Sequence, residues 1–141
     1  MKTHVTFTRD SPTLEHEGHQ PFGKEIASAL IRSLSEQGLG NCKLDSLDFA
    51  FACFAPAHSR RCYVMIGLID DNMDHARHWL ITCDPSRGLF DWLLRKDYSV
   101  ETTQVANAIH EFLADDPDVI DIRWYTAADW KNDPENWSTV P

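Results

Sequence analysis

A chain of 141 residues, 43% hydrophobic and 25% charged, has the make-up of one ordinary globular domain, able to bury about two-thirds of its unfolded surface without help from a metal or disulfide. The formal charge is −9, and the only adjacent basic pairs are Arg60–Arg61 and Arg95–Lys96, which disfavours phosphate neutralisation and so nucleic-acid binding. No apolar run nears the about 18 residues of a membrane span, and Met1 to Asp10 has no secretory-signal core, so a cytoplasmic protein without a membrane partner is expected.

Residues His4 to Thr8 alternate as a strand, with Val5 and Phe7 on one side and His4, Thr6 and Thr8 on the other. The polar stretch that follows holds His16–Glu17–Gly18–His19. Imidazoles three apart can converge on a metal when they sit on a helix, but Gly18 and Pro21 argue for a loop, and Glu15, Glu17 or a distant histidine would have to complete the ligand set. A metal-binding protein using His16 and His19 is therefore an alternative reading, and no essential metal or other cofactor is expected. From Phe22 the period changes: Phe22, Ile26, Ala29, Leu30 and Leu34 recur at helical spacing, and Gly38 and Gly40 follow the end.

Leu47 to Asp84 then carries three strand-period segments. Phe49, Phe51 and Cys53, then Val64, Ile66 and Leu68, then Trp79, Ile81 and Cys83 fall on one face. The opposite face holds Phe54, Tyr63, Met65, His78, Leu80 and Thr82, more apolar and aromatic than a solvated face requires. The segments are separated by a loop around Pro56 to Arg61 and a turn at Asp70–Asp71–Asn72. His75 and His78 are three apart on a strand and so face opposite ways. Cys42, Cys53, Cys62 and Cys83 contain no Cys-x-x-Cys, and reduced structural cysteines are expected.

Asp84–Pro85–Ser86 ends the third segment and precedes a short helix over Leu89 to Leu94. Ser99 is the expected cap of a second clear helix, in which Val105, Ile109, Phe112 and Leu113 form the inward stripe before Pro117 stops it. Val119 to Tyr125 reads as a last strand, with Ile120, Ile122 and Trp124 inward and Asp121, Arg123 and Tyr125 outward. Residues 126–141 form a tail containing Trp130 and Trp137, either folded over the domain or free for a partner. Of the acids, nine lie in residues 101–141 against Arg123 and Lys131, a net of −7.

The order β-α-β-β-β-(α)-α-β predicts a single α+β domain over residues 1–141. Its expected architecture is a two-layer sandwich with a largely antiparallel sheet of about five strands and two main helices on one face. The sequence holds no Gly-x-Ser-x-Gly or Gly-x-Gly-x-x-Gly, and Gly18 to Lys24, which has the spacing Gly-x-x-x-x-Gly-Lys, is followed by Glu25 where the phosphate-cradling motif needs Ser or Thr. The favoured reading is a small non-enzymatic domain that binds a protein or self-associates, with Tyr63, Met65, His78, Arg123 and Tyr125 as its candidate interface. An acidic inhibitor or immunity-type protein has this size and charge. The competing reading is a small enzyme using His78 with Tyr63, Arg123 or Tyr125 for proton transfer and anion binding.

Overall fold

The computed structural model describes residues 1–9, 23–40, 42–56, 61–70, 77–85, 93–94 and 97–141. It is an α+β fold: strands β1 (His4–Arg9), β2 (Asp45–Ser46), β3 (Phe51–Ala55), β4 (Cys62–Asp70), β5 (Arg77–Pro85) and β6 (Val119–Tyr125) form one open antiparallel sheet. Helices α1 (Lys24–Leu34) and α2 (Ser99–Asp115) pack on its inner face, and a short helix α3 (Ala127–Asn132) follows β6. The sheet order is β2-β3-β4-β5-β1-β6. The first strand in the chain thus lies inside the sheet, flanked by β5 and by the last strand. His16 and His19, the pair of the alternative metal-binding reading, and His75, Phe22 and Trp92 fall outside the described residues.

The inner face is built as strand alternation dictates. Register pairs Phe51 with Ile66, Cys53 with Val64, Ile66 with Ile81, Leu68 with Trp79, and Val5 with both Ile81 and Trp124. Val64, Ile66, Trp79, Ile81 and Val5 are at most 3% exposed. Against them α1 presents Ile26, Ala27, Leu30 and Leu34, and α2 presents Val105, Ile109 and Leu113, the positions one helical face brings together. Phe112 and Ile122 pack at the margin of this core. A wider turn, Ser35–Leu39, ends α1, with Gly38 at φ 81 in the left-handed region that favours glycine.

Three local expectations change. Phe49 is exposed, because Leu47 N–H donates to Ala50 O and makes Asp48–Phe49 the tip of the β2–β3 hairpin. Ser99 does not cap α2 with its side chain; it is the first helical residue, and its N–H is accepted by Asp97 Oδ1 at 2.9 Å. Ile120 points to solvent, whereas Val119 and Ile122 pack on the core. The cause is a register shift between β1 and β6, where Asp121 sits at φ 59. One extra residue in a bulge reverses the alternation upstream of it, and aspartate tolerates the left-handed conformation better than most residues.

Candidate functional site on the outer sheet face

The other face of the sheet is ordered by register into cross-strand rows. Phe54, Tyr63 and Asp84 form one row, Ala52, Met65, Thr82, His4 and Tyr125 the next, Gly67, Leu80, Thr6 and Arg123 a third, and His78 and Thr8 a fourth. All five sequence-expected interface residues are on this face, since each lies at the outward strand parity. They do not form one compact cluster. Tyr63 is opposite Asp84, and His78 is six positions along β5 from Asp84, which separates their backbones by about 20 Å at the rise of a strand. That spacing is too long for direct proton transfer between Tyr63 and His78. Met65 and Tyr125 share a row across three strand intervals, about 14 Å at ordinary strand spacing.

The face divides into a covered end and an apolar strip. At the covered end, Thr126 Oγ1 accepts from the Asp129 N–H at 3.0 Å and donates to Asp129 Oδ2 at 2.7 Å, which starts α3 immediately after β6. The turn lays Trp130 edge-on to Tyr125 at 5.3 Å between ring centroids and 6.5 Å from His4. Tyr125 is only 4% exposed, so the expectation that places it at the centre of an accessible surface is corrected: this chain's own tail covers it. The tail then bridges the edge of β6, with reciprocal backbone hydrogen bonds between Trp124 and Ser138 of 2.8 and 3.0 Å. Arg123 lies 4.8 Å from the Trp137 ring centre and donates from Nε to Asp121 Oδ1 at 2.8 Å. The Asp121 carboxylate raises its pKa further, so the guanidinium stays charged.

The strip runs over β3, β4 and β5. Phe54 and Tyr63 meet with their rings tilted by 56° and their centroids 5.1 Å apart, and these two rings, Met65 and Leu80 are all half-buried. Among the described residues α3 is the one helix on this face, and its ring contacts are with the β1 and β6 end. His78 is exposed at the far corner, its Nδ1 3.1 Å from Thr8 Oγ1. Exposed Asp115, Asp118 and Asp121 cluster around the α2–β6 connection, and Asp133 and Glu135 follow α3.

His4 is the titrating group at the seam between face and tail. Burial pushes its pKa down from the ordinary value of 6.5, and the Asp84 carboxylate opposes part of that. A histidine whose folded pKa is depressed favours the folded state above its unfolded pKa and disfavours it as pH falls toward and through the folded value. Stability is therefore expected to decline below pH about 6.5, with part of the decline absent in His4→Gln. Thermal midpoints of both proteins between neutral and mildly acidic pH check this; parallel curves would remove His4 as a contributor.

Among the described residues no group of three or more His, Cys, Asp or Glu side chains is placed to hold a metal ion. No described helix is long and apolar enough to cross a membrane. On the helical side of the molecule, a solvent-open cleft of about 390 Å³ is lined by Gln37, Gln104, Asn107 and Glu111, with Gln37 Nε2 donating to Ala108 O. It contains no histidine and none of the outer-face residues.

Sequence reasoning assembled the outer face from alternation and left the tail with Trp130 and Trp137 either folded over the domain or free for a partner, without singling out Trp130 as the ring that meets Tyr125. The Thr-x-x-Asp cap at Thr126 was the available signal. Compared with protein-family models, curated proteins and solved structures, the chain matches none.

Proposed function

We propose that this protein is a small non-enzymatic protein-binding domain that takes its partner on the outer face of the sheet. The observation that carries this reading is the half-buried strip of Phe54, Tyr63, Met65 and Leu80, left beside a tail that covers only the Tyr125 end. Aromatic and methionine side chains in a contiguous patch favour a macromolecular contact, and a rim of charge selects its partner. The net of −7 over residues 101–141 favours a basic protein, drawn in by long-range attraction. The size and charge suit an inhibitor or immunity-type role. His78 with Tyr63 and Arg123 as a catalytic set is less favoured, because the register spreads them across separate rows.

The test is a pair of substitutions on the strip, Met65→Glu and Leu80→Glu, made together. Outward-facing changes of this kind ordinarily move stability little, within about 0.5 kcal/mol at exposed positions and somewhat more at half-buried ones. Partners recovered with the wild-type protein from its native cell should bind the double variant at least about tenfold more weakly, and raised salt should slow association with the wild type. Equal affinity for a double variant with unchanged circular dichroism would remove this face as the binding surface.

A further inference from the structure

None of residues 126–141 is buried, and helix α3 within them places no side chain in the core. This tail is nevertheless seated on the molecule. The Trp130 ring meets Tyr125 at 5.3 Å and His4 at 6.5 Å between centroids. Backbone hydrogen bonds of 2.8 and 3.0 Å join Trp124 to Ser138, whose hydroxyl also accepts from Lys2 Nζ. Trp137 lies under the Arg123 guanidinium. These contacts are all with the outer face, the chain start or the β6 edge. Parting them opens no cavity in the core, so the tail can come away by a local opening that leaves the sheet folded.

The tail covers the continuation of the apolar strip. Met65 and Tyr125 share one row, with Thr82 and His4 between them. The strip itself spans two strand intervals, from Phe54 on β3 to Leu80 on β5, and four residues along β4, from Tyr63 to Gly67 opposite Leu80, about 10 by 14 Å. Each partner in a standard protein complex buries about 800 Å², several times that patch. Beyond β3 the described sheet ends at the two-residue β2. The sheet surface open to a larger footprint therefore lies over β1 and β6, where Trp130 stands.

We propose that residues 126–141 are a displaceable strap: in the free protein Trp130 occupies the Tyr125 end of the outer face, and the basic protein partner takes its place there while the sheet stays as it is. This inference rests on the reading of the outer face as the binding surface. Strap and partner compete for one surface, so the partner's apparent Kd is its Kd for the open form divided by the fraction of molecules that are open. The strap thereby sets how readily the face is offered. Opening uncovers the Tyr125 ring and joins it to the strip through the Met65 row. It also frees the N–H and C=O of Trp124 at the β6 edge.

Hydrogen exchange on the intact free protein reads the opening without a partner. The Trp124 N–H is bonded to the tail, whereas Arg123, opposite Thr6, turns its N–H to β1 by strand alternation. The amides of Trp124 and Ser138 should share one level of protection, at least about 100-fold below that of Arg123, because they open with the strap and Arg123 opens only with the sheet. Trp130→Ala removes no core contact. It should lower the protection of Trp124 and Ser138 by about two- to tenfold, the worth of an aromatic pair, and leave that of Arg123 unchanged.

The binding arm uses a synthetic amphipathic lysine–leucine peptide as a basic, apolar probe. Trp130→Ala should bind it more tightly than the wild type, by the same factor as its loss of protection at Trp124. The Met65→Glu/Leu80→Glu variant should bind it weakly whether Trp130 is present or replaced by alanine. Protection of Trp124 equal to that of Arg123, or Trp130→Ala binding the peptide no more tightly than the wild type, would overturn the strap. Either result leaves the outer-face reading in place if Met65→Glu/Leu80→Glu still weakens binding. A double variant that binds as well as the wild type overturns that reading, and the strap's competition with a partner falls with it.

Discussion

Replacing Trp79 with alanine is expected to destabilise the protein by about 3–5 kcal/mol, the range for deleting a large buried aromatic. The indole is 1% exposed and lies in the central row of the inner face, opposite Phe7 on one side and Leu68 on the other. It also donates from Nε1 to Arg9 O at 3.1 Å, so truncation removes a hydrogen bond worth about 1 kcal/mol as well as packing. Trp137→Ala is the internal comparison. That ring is 40% exposed and stacks with the Arg123 guanidinium, an interaction worth about 0.5–1 kcal/mol at an exposed site. Urea unfolding of both variants checks the contrast. Similar losses at Trp79 and Trp137 would mean that the inner face is not the load of the fold.

Gly23→Ala should be nearly as damaging, at about 2–5 kcal/mol, although it adds a single methyl group. Gly23 sits at the start of α1 with φ 97, and its carbonyl accepts the Ala27 N–H at 2.9 Å. The left-handed conformation alone costs a non-glycine residue about 1–2 kcal/mol. The larger contribution is steric: a methyl carbon at Gly23 would stand 2.5 Å from Trp79 Cζ3 and 2.8 Å from Cη2. These are atoms of the distal indole ring, and Trp79 is held in the core. Overpacking at such a contact adds about 1–3 kcal/mol. A double-mutant cycle separates the two causes. In a Trp79→Phe background the distal ring atoms are gone, so Gly23→Ala should cost only its backbone share there. Equal costs in both backgrounds would show that Trp79 is not the obstacle.

These two sites mark how far the sequence could be read. The alternation Trp79-Ile81-Cys83 and the stripe Val105-Ile109-Leu113 report burial because each side chain's direction follows from local backbone period. The core they imply is the core observed, with Phe112 and Ile122 at its margin. Phe49 and Ile120 obey the same patterns on paper and are exposed at 68% and 59%. In each case a local backbone event intervenes, a hairpin tip at Asp48–Phe49 and a bulge at Asp121. Neither residue pair spells its turn in the way Asn-Gly would, so apolarity alone assigned them inward.

The sequence by itself determined which residues share a face within each strand and helix, where α1 and α2 run, and where the acidic charge accumulates. All of these depend on neighbours a few positions apart. The tertiary structure decided that β1 lies between β5 and β6, that Trp130 closes over Tyr125 while the Phe54–Tyr63–Met65–Leu80 strip stays beside it, and that Cys53 and Cys83, thirty positions apart, flank Val64 in one row of the inner face. Those arrangements depend on register between distant strands and on which segment returns to cover a face. Strand period is the same whichever neighbour a strand takes, so the pattern that reveals a face carries no information about what lies across from it.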